Sequence, residues 1–306
     1  MTEDPTVDRI GTLAAIGRGL EREGAYNGAK LVRALLDREL TRLADRESPI
    51  GSDAIAAAVE SVRDDVSAES GAEIADILTQ VARAVRDGAT ITLADVPHVR
   101  TCRVCGELFV GDRIAPTCPT CEAPAFSFRE HLPVWYLEPA EPGTILAALA
   151  AGPEHVTAAV RGRDDEALDT PPADGEWSAR QTLEHLVYAE HLLATRVPRL
   201  LEEDEPDLVA WVVGTGAPVS SDEGSADTGS RASILVARHR DLRERTLARL
   251  GPLDATGWAR AGRHPEWGRV TVLSQAAYFA RHEAAHLAQL RAAADGRLPG
   301  ARSAAA

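Results

Sequence analysis

Four cysteines form two pairs, Cys102-Arg-Val-Cys105 and Cys118-Pro-Thr-Cys121, with twelve residues between them. A CxxC spacing lets one tight turn present two sulfurs to a single ion. Two such turns can set four thiolates tetrahedrally around one metal. Gly106 follows the first pair and frees the chain for that turn. Buried or disulfide-linked cysteines are the competing reading, and tight clustering in a reducing compartment argues against it. A closed set of four thiolates suits zinc or iron equally, and the spacing does not separate them.

Histidines supply the second candidate. His282 and His286 lie four apart in His-Glu-Ala-Ala-His, so on a helix both imidazoles share one face and can bind one ion. The stripe Gln275, Tyr278, His282, His286, Gln289 repeats at helical spacing beside Leu273, Ala277, Leu287 and Leu290. The motif also reads literally as HExxH, with Glu283 as the general base. That chemistry needs a third ligand further along the chain. Residues 287–306 hold no His, Glu or Cys, and Asp295 is their sole acid. A peptidase-type site is therefore not expected.

Helices must position most of these side chains. Residues 8–87 place Leu13, Ile16, Leu20, then Leu31, Ala34, Leu35, Leu40, Leu43 at steps of three and four. Asp53 can cap a helix through Ile55, Val59 and Val62, and a last run covers Ile74 to Val85 before Gly88 stops it. Residues 89–101 read as a strand or extended connector, and 131–142 as an extended linker offering Trp135 and Tyr136 for docking. Four long helices follow, at about 143–162, 178–202, 231–250 and 271–294. Ser178 and Gln181 fit a capping box. The stretch GTGAPVSSDEGSADTGS between the second and third helices is expected to be an exposed loop, long enough to cross a bundle. The expected fold class is mainly α. It comprises a helical domain over 1–97, a four-cysteine metal knuckle over 98–132, a linker over 133–142, the four-helix region over 143–295 and a flexible tail over 296–306.

Composition narrows the function. The chain has 306 residues, 44% apolar and 26% charged, as expected of a soluble protein. A formal charge of −14 opposes binding to nucleic acid or an anionic membrane. No apolar run reaches the roughly 18 residues of a membrane span. The acidic N-terminal MTEDPTVDR lacks the features of a secretory signal, so the expected location is cytoplasmic.

The cysteine segment resembles the rubredoxin-like knuckle of rubrerythrins: CxxCG, then Leu108, Phe109 and Gly111, then CPxC followed by Pro124 and Phe126. That resemblance implies an iron tetrathiolate able to carry one electron, with structural zinc as the alternative. A rubrerythrin would also carry di-iron ExxH motifs, but residues 1–97 contain no histidine, and Glu21, Glu23, Glu39 and Glu47 are scattered. The N-terminal helices are read instead as a surface for docking or for forming a homodimer.

Residues 143–295 resemble the DinB/YfiT-like family of metal-binding four-helix bundles. The resemblance rests on Gly175-Glu176-Trp177-Ser178 leading to Glu184-His185-Leu186. It continues through His264-Pro265-Glu266-Trp267-Gly268-Arg269-Val270-Thr271 and then His282, His286, Gln289 and Leu290. It implies a three-histidine site of His185, His282 and His286 holding a divalent metal (zinc, nickel or iron). It also implies activities such as thiol S-transfer with bacillithiol or mycothiol, or thiol-dependent isomerisation. The function expected is a metal-dependent thiol transferase, or a related detoxification enzyme or hydrolase, acting on a small molecule with a low-molecular-weight thiol. The site of Cys102, Cys105, Cys118 and Cys121 would be a structural or redox accessory. Rubredoxin-type electron transfer or redox sensing, and a non-catalytic interaction protein, are the alternatives. No residue is assigned a catalytic role beyond the ligands. Glu184 and Glu190 are expected on a solvated face, though either could orient a ligand, and His191 is expected at the surface. Trp177 and Trp267 are expected to be core anchors, and His264 to line the cleft or pack. His98, His131 and His155 show no pattern.

Overall fold

The computed structural model describes residues 5–47, 51–70, 72–208 and 230–298. The loop expected at 214–230 falls outside them except for Ser230, and so does most of the expected tail. The chain divides into two compact units, Met1–Thr90 and Ile91–Ala306. No described helix is long and apolar enough to cross a membrane.

The first unit holds α1 (Pro5–Arg22), α2 (Tyr26–Glu47), α3 (Ser52–Ser70) and α4 (Ala72–Asp87). α1 packs on α2 and α3 on α4. Gly24, at φ +74°, makes the first turn, and Gly88, at φ +62°, ends α4. Asp53 sits within the first turn of α3, where its charge complements the helix dipole. The apolar stripe is only partly covered: Ala29, Ala56 and Ala82 are buried, while Ile16, Leu31 and Leu40 are exposed. Glu39 is buried beside Arg38, whose guanidinium donates to it at 2.8 Å.

The second unit opens with a small antiparallel sheet of β1 (Val99–Cys102), β2 (Leu108–Val110) and β3 (Phe128–His131), in the order β2-β1-β3. Thr101 pairs with Leu108 on one side and Arg129 on the other. The stretch expected to be extended instead makes a 3₁₀ turn at Trp135–Leu137. Arg281 clamps it, donating to the carbonyls of Tyr136 at 2.8 Å and Pro139 at 3.2 Å.

The remainder is α5 (Pro142–Val160), α6 (Asp165–Asp169), α7 (Ala179–Glu202), α8 (Arg231–Leu250), α9 (Ala255–Ala259), β4 (Ala261–His264), β5 (Gly268–Thr271) and α10 (Val272–Ala294). α5 and α7 each pack against α8 and α10, so chain neighbours α5 and α7 sit diagonally in the bundle. The β4–β5 hairpin, not evident from the sequence, turns through residues 265–267, and Gly268, at φ +68°, opens its second strand. Gly262 lets it approach α7 and the chain beyond it, since a Cβ there would lie 2.8 Å from the Leu200 side chain and 2.6 Å from the Pro206 carbonyl.

Two apolar clusters fill the bundle. One includes Leu149, Leu193, Val197, Leu200, Val272 and Phe279. The other includes Val156, Leu183, Leu186, Val187, Leu287 and Leu290. Between them in sequence lie buried Glu190 on α7 and His282 and Glu283 on α10, while α8 contributes buried His239 and Arg243.

Candidate metal centres

β1 ends on Cys102, and the turn after it presents Cys105. The loop between β2 and β3 presents Cys118 and Cys121. The two turns repeat one hydrogen-bond pattern. The Gly106 and Glu122 N–H groups donate to the carbonyls of Cys102 and Cys118, both at 2.8 Å. In the other direction, the Cys102 and Cys118 N–H groups donate to the carbonyls of Glu107 and Ala123, also at 2.8 Å. Each turn ends in a left-handed residue, Gly106 at φ 88° and Glu122 at φ 61°. The sulfurs of Cys102 and Cys121 lie 3.7 Å apart, and those of Cys105 and Cys118 lie 3.6 Å apart. A tetrahedron with bonds of about 2.3 Å has edges of about 3.8 Å, so these sulfurs match one tetrathiolate ion.

Electrostatics agree with that fit. The Cys105 amide, helped by that of Val104, lowers the Cys102 thiol to about 7. At Cys121 the Ala123 amide favours the thiolate, but burial and the neighbouring sulfurs outweigh it and push the pKa up to about 12. Four thiolates cannot share this space at neutral pH unless a cation balances them. Behind the site Phe109 and Phe128 stack at 4.8 Å. Phe126 of the motif takes no part in that stack: it is 88% exposed on the 3₁₀ turn at Ala125–Ser127.

α7 and α10 carry the histidines, and each begins with a capping box: Ser178 with Gln181, and Thr271 with Ser274. These caps satisfy amides that would otherwise be orphaned and fix where each helix starts. His185 Nε2 lies 3.1 Å from His282 Nε2 and 3.2 Å from His286 Nε2. The ligand atoms of all three residues fall within 4.8 Å of one another. Burial, then the neighbouring imidazole of His286, lowers His185 to about 4 and His282 to about 3. Burial lowers His286 as well, so all three rings are neutral at pH 7, the form that ligates a metal. Gln289 Oε1 accepts from His286 Nδ1 at 2.8 Å, leaving Nε2 of that ring with its lone pair towards the cluster.

Aromatic rings surround this cluster. Trp177 lies edge-on to His185 at 4.9 Å and parallel to His286 at 6.2 Å. It is 41% exposed, so it is a wall of the site and not the core anchor expected. Tyr278 stacks on His282 at 5.8 Å, and Tyr136 meets the same ring edge-on at 5.9 Å. Trp267 does pack against the core, stacking on buried His264 at 3.9 Å. His264 is away from the three-histidine cluster and faces Arg196 at 3.3 Å.

His191, Glu184 and His155 are exposed. His98 and His131 pair with Glu130 and Thr101 on the small sheet. Glu190 departs from expectation: it is 2% exposed and bound to Arg243 at 2.6 Å. Glu283 is likewise buried, held by Arg243 at 2.6 Å and His239 at 2.9 Å. His239 and Arg243 drew no notice in the sequence. The available signal was spacing, because both fall on the apolar stripe Leu235, Leu242, Leu250 of their helix.

A capped four-helix bundle with three convergent imidazoles defines the class, and the family model agrees. The chain belongs to the DinB superfamily, whose model matches residues 125–290. A protein of Bacillus cereus (strain 03BB102) bearing the name "Putative metal-dependent hydrolase" is 25% identical over 142 residues, 45% of this chain and 79% of its own. A protein of the same name from Geobacillus thermodenitrificans is 34% identical over 87 residues, 28% of this chain and 43% of its own. Among solved structures, YfiT of Bacillus subtilis, described as having an unusual four-helix bundle topology, is 24% identical with a TM-score of 0.43, covering 50% of this chain and 89% of YfiT. TT2238, a four-helix bundle protein, is 22% identical with a TM-score of 0.36, covering 50% and 99%.

Proposed function

We propose that this protein is a metal-dependent thiol transferase in which His185, His282 and His286 hold a divalent cation. The observation that carries the reading is the convergence of three neutral Nε2 atoms beside the half-exposed Trp177. Three imidazoles leave coordination positions open, which suits catalysis better than structure. A cation held there supplies Lewis acidity, favouring the deprotonated form of a thiol or of water at neutral pH. The relatives' names point to attack by water. A specific feature favours the thiol instead: Glu283, in the general-base position of HExxH, is committed to Arg243 and His239. A thiol with a pKa of about 8.5 needs far less help to ionise than water does. Gln289 orients the His286 ring, while Trp177 and Tyr136 flank the cluster and limit water on either side. The four cysteines hold zinc or iron as an accessory site.

The test compares reactions of purified, metal-analysed protein. A small electrophile is offered with bacillithiol, mycothiol or glutathione, and a simple ester is offered with no thiol. Conjugation that needs both thiol and an intact His185 supports the reading. Ester turnover that is independent of thiol and lost in His185→Ala would replace it with hydrolysis.

A further inference from the structure

The buried polar layer of Glu190, His239, Arg243 and Glu283 carries out no chemical step in the reading above. Arg243 on α8 is 1% exposed, yet it reaches each of the other three long helices of the bundle. Its Nη2 donates to Glu190 Oε2 on α7 and to Glu283 Oε2 on α10, both at 2.6 Å. Its Nη1 donates to the Leu149 carbonyl on α5 at 2.6 Å. One turn earlier on α8, His239 Nε2 holds the same Glu283 Oε2 at 2.9 Å. Burial works against the Arg243 cation, but the Glu190 and Glu283 charges overcome it and keep its pKa above the ordinary value.

Stability alone is a poor reason for such a layer. Buried ion networks lose in desolvation much of what they gain in attraction. Here Glu190 Oε1, Arg243 Nε and His239 Nδ1 lack a hydrogen-bond partner among the described residues. Position is the better reason. Glu283 adjoins His282, and Glu190 lies five residues beyond His185. One guanidinium therefore ties the helix bearing one candidate ligand to the helix bearing the other two. Gly152 on α5 makes room for the tie. A Cβ there would lie 2.0 Å from Glu283 Oε1 and 2.7 Å from Arg243 Nη1. Metal–imidazole bonds tolerate only a few tenths of an ångström around roughly 2.0–2.1 Å, so helix spacing decides whether three rings can share an ion.

We propose that Arg243 is a positioning residue: by bridging Glu190 and Glu283 it sets the spacing of α7 and α10 at which His185 meets His282 and His286, and so sets the metal affinity of that cluster. The proposal rests on the reading of those imidazoles as ligands.

The test loads the full chain with cadmium, which the softer thiolates take up and which is silent in the visible. Cobalt(II) is then titrated, and its visible absorption reports the histidines. Arg243→Lys keeps the charge but cannot hold the carboxylates and the Leu149 carbonyl with separate nitrogens, and Gly152→Ala pushes on the Glu283 carboxylate from α5. Both should raise the cobalt dissociation constant about tenfold or more and alter the cobalt spectrum, with circular dichroism and cadmium content unchanged. Low, non-denaturing guanidinium should restore cobalt affinity in Arg243→Ala. Wild-type affinity and spectrum in both Arg243→Lys and Gly152→Ala would overturn the proposal and leave the metal reading intact. So would a loss that merely follows helix content. Cobalt absorption that is missing in wild type, or unchanged in His185→Ala, would overturn both.

Discussion

His185 Nε2 lies 3.2 Å from His286 Nε2 although 101 residues separate them. The contact exists because α7 and α10 pack side by side while α5 and α7 do not. Replacing His185, His282 or His286 by Ala should lower metal affinity sharply while leaving most helicity, since the fold rests on two apolar clusters. His191→Ala is the control, because that residue is exposed. Metal content by elemental analysis and helicity by circular dichroism check this. Equal metal content in all four variants would refute the site.

The repeated cysteine turns make a second prediction. Cys118→Ser should remove the tetrathiolate ion and unfold the small sheet, whose buried cluster is only Cys102, Cys118 and Ala123. A visible colour that bleaches on reduction identifies iron; a colourless protein with one bound metal identifies zinc. Glu122 sits at φ 61° where its counterpart is Gly106. Glu122→Gly should therefore stabilise the loaded knuckle by roughly 1 kcal/mol, and Gly106→Ala should weaken it by a similar amount. Thermal unfolding of the metal-loaded protein measures both, and a Glu122→Gly variant that melted earlier would contradict the argument.

Trp177 touches two site imidazoles and is 41% exposed. Trp177→Ala should change melting little yet raise KM for the electrophile or thiol several-fold, with Trp177→Phe intermediate. Unchanged kinetics alongside a large drop in melting temperature would return this residue to the role of a core anchor.

Acid should weaken the bundle partly through His264, which is 2% exposed. Burial, then the Arg196 charge facing it, lowers its pKa to about 3. Glu266 is the nearby acid, and its backbone N–H donates to the ring at 3.3 Å. The unfolded value is about 6.5. Between those values the unfolded chain takes up a proton that the folded bundle excludes, so acid favours unfolding. The contribution is whole above about pH 6.5 and is lost as pH falls towards 3. His264→Gln should flatten the stability profile of metal-free protein in that window by at most about 1.4 kcal/mol per pH unit. Denaturant titrations at several pH values read this directly, and parallel profiles would show that His264 is not responsible.

Much of the architecture was written locally. Steps of three and four apolar residues, together with Ser178 and Gln181, placed the four long helices to within a residue or two. The CxxC pairs are legible in the sequence because four thiols lie within twenty residues and local turns bring them together. A helix face also put His282 beside His286. Bringing His185 to them needed the diagonal order of the helices, which no local pattern encodes. Glu190 was read as solvated for the same reason: a carboxylate on an amphipathic helix looks exposed until Arg243 arrives from another helix to neutralise it. Trp177 shows the converse, an aromatic side chain whose type suggests the core but whose place before a cap leaves it at the rim. Periodicity and turn chemistry act over a few residues and are legible in one dimension. Pairings of charge, ring and imidazole across helices depend on packing, and only the tertiary structure decided them.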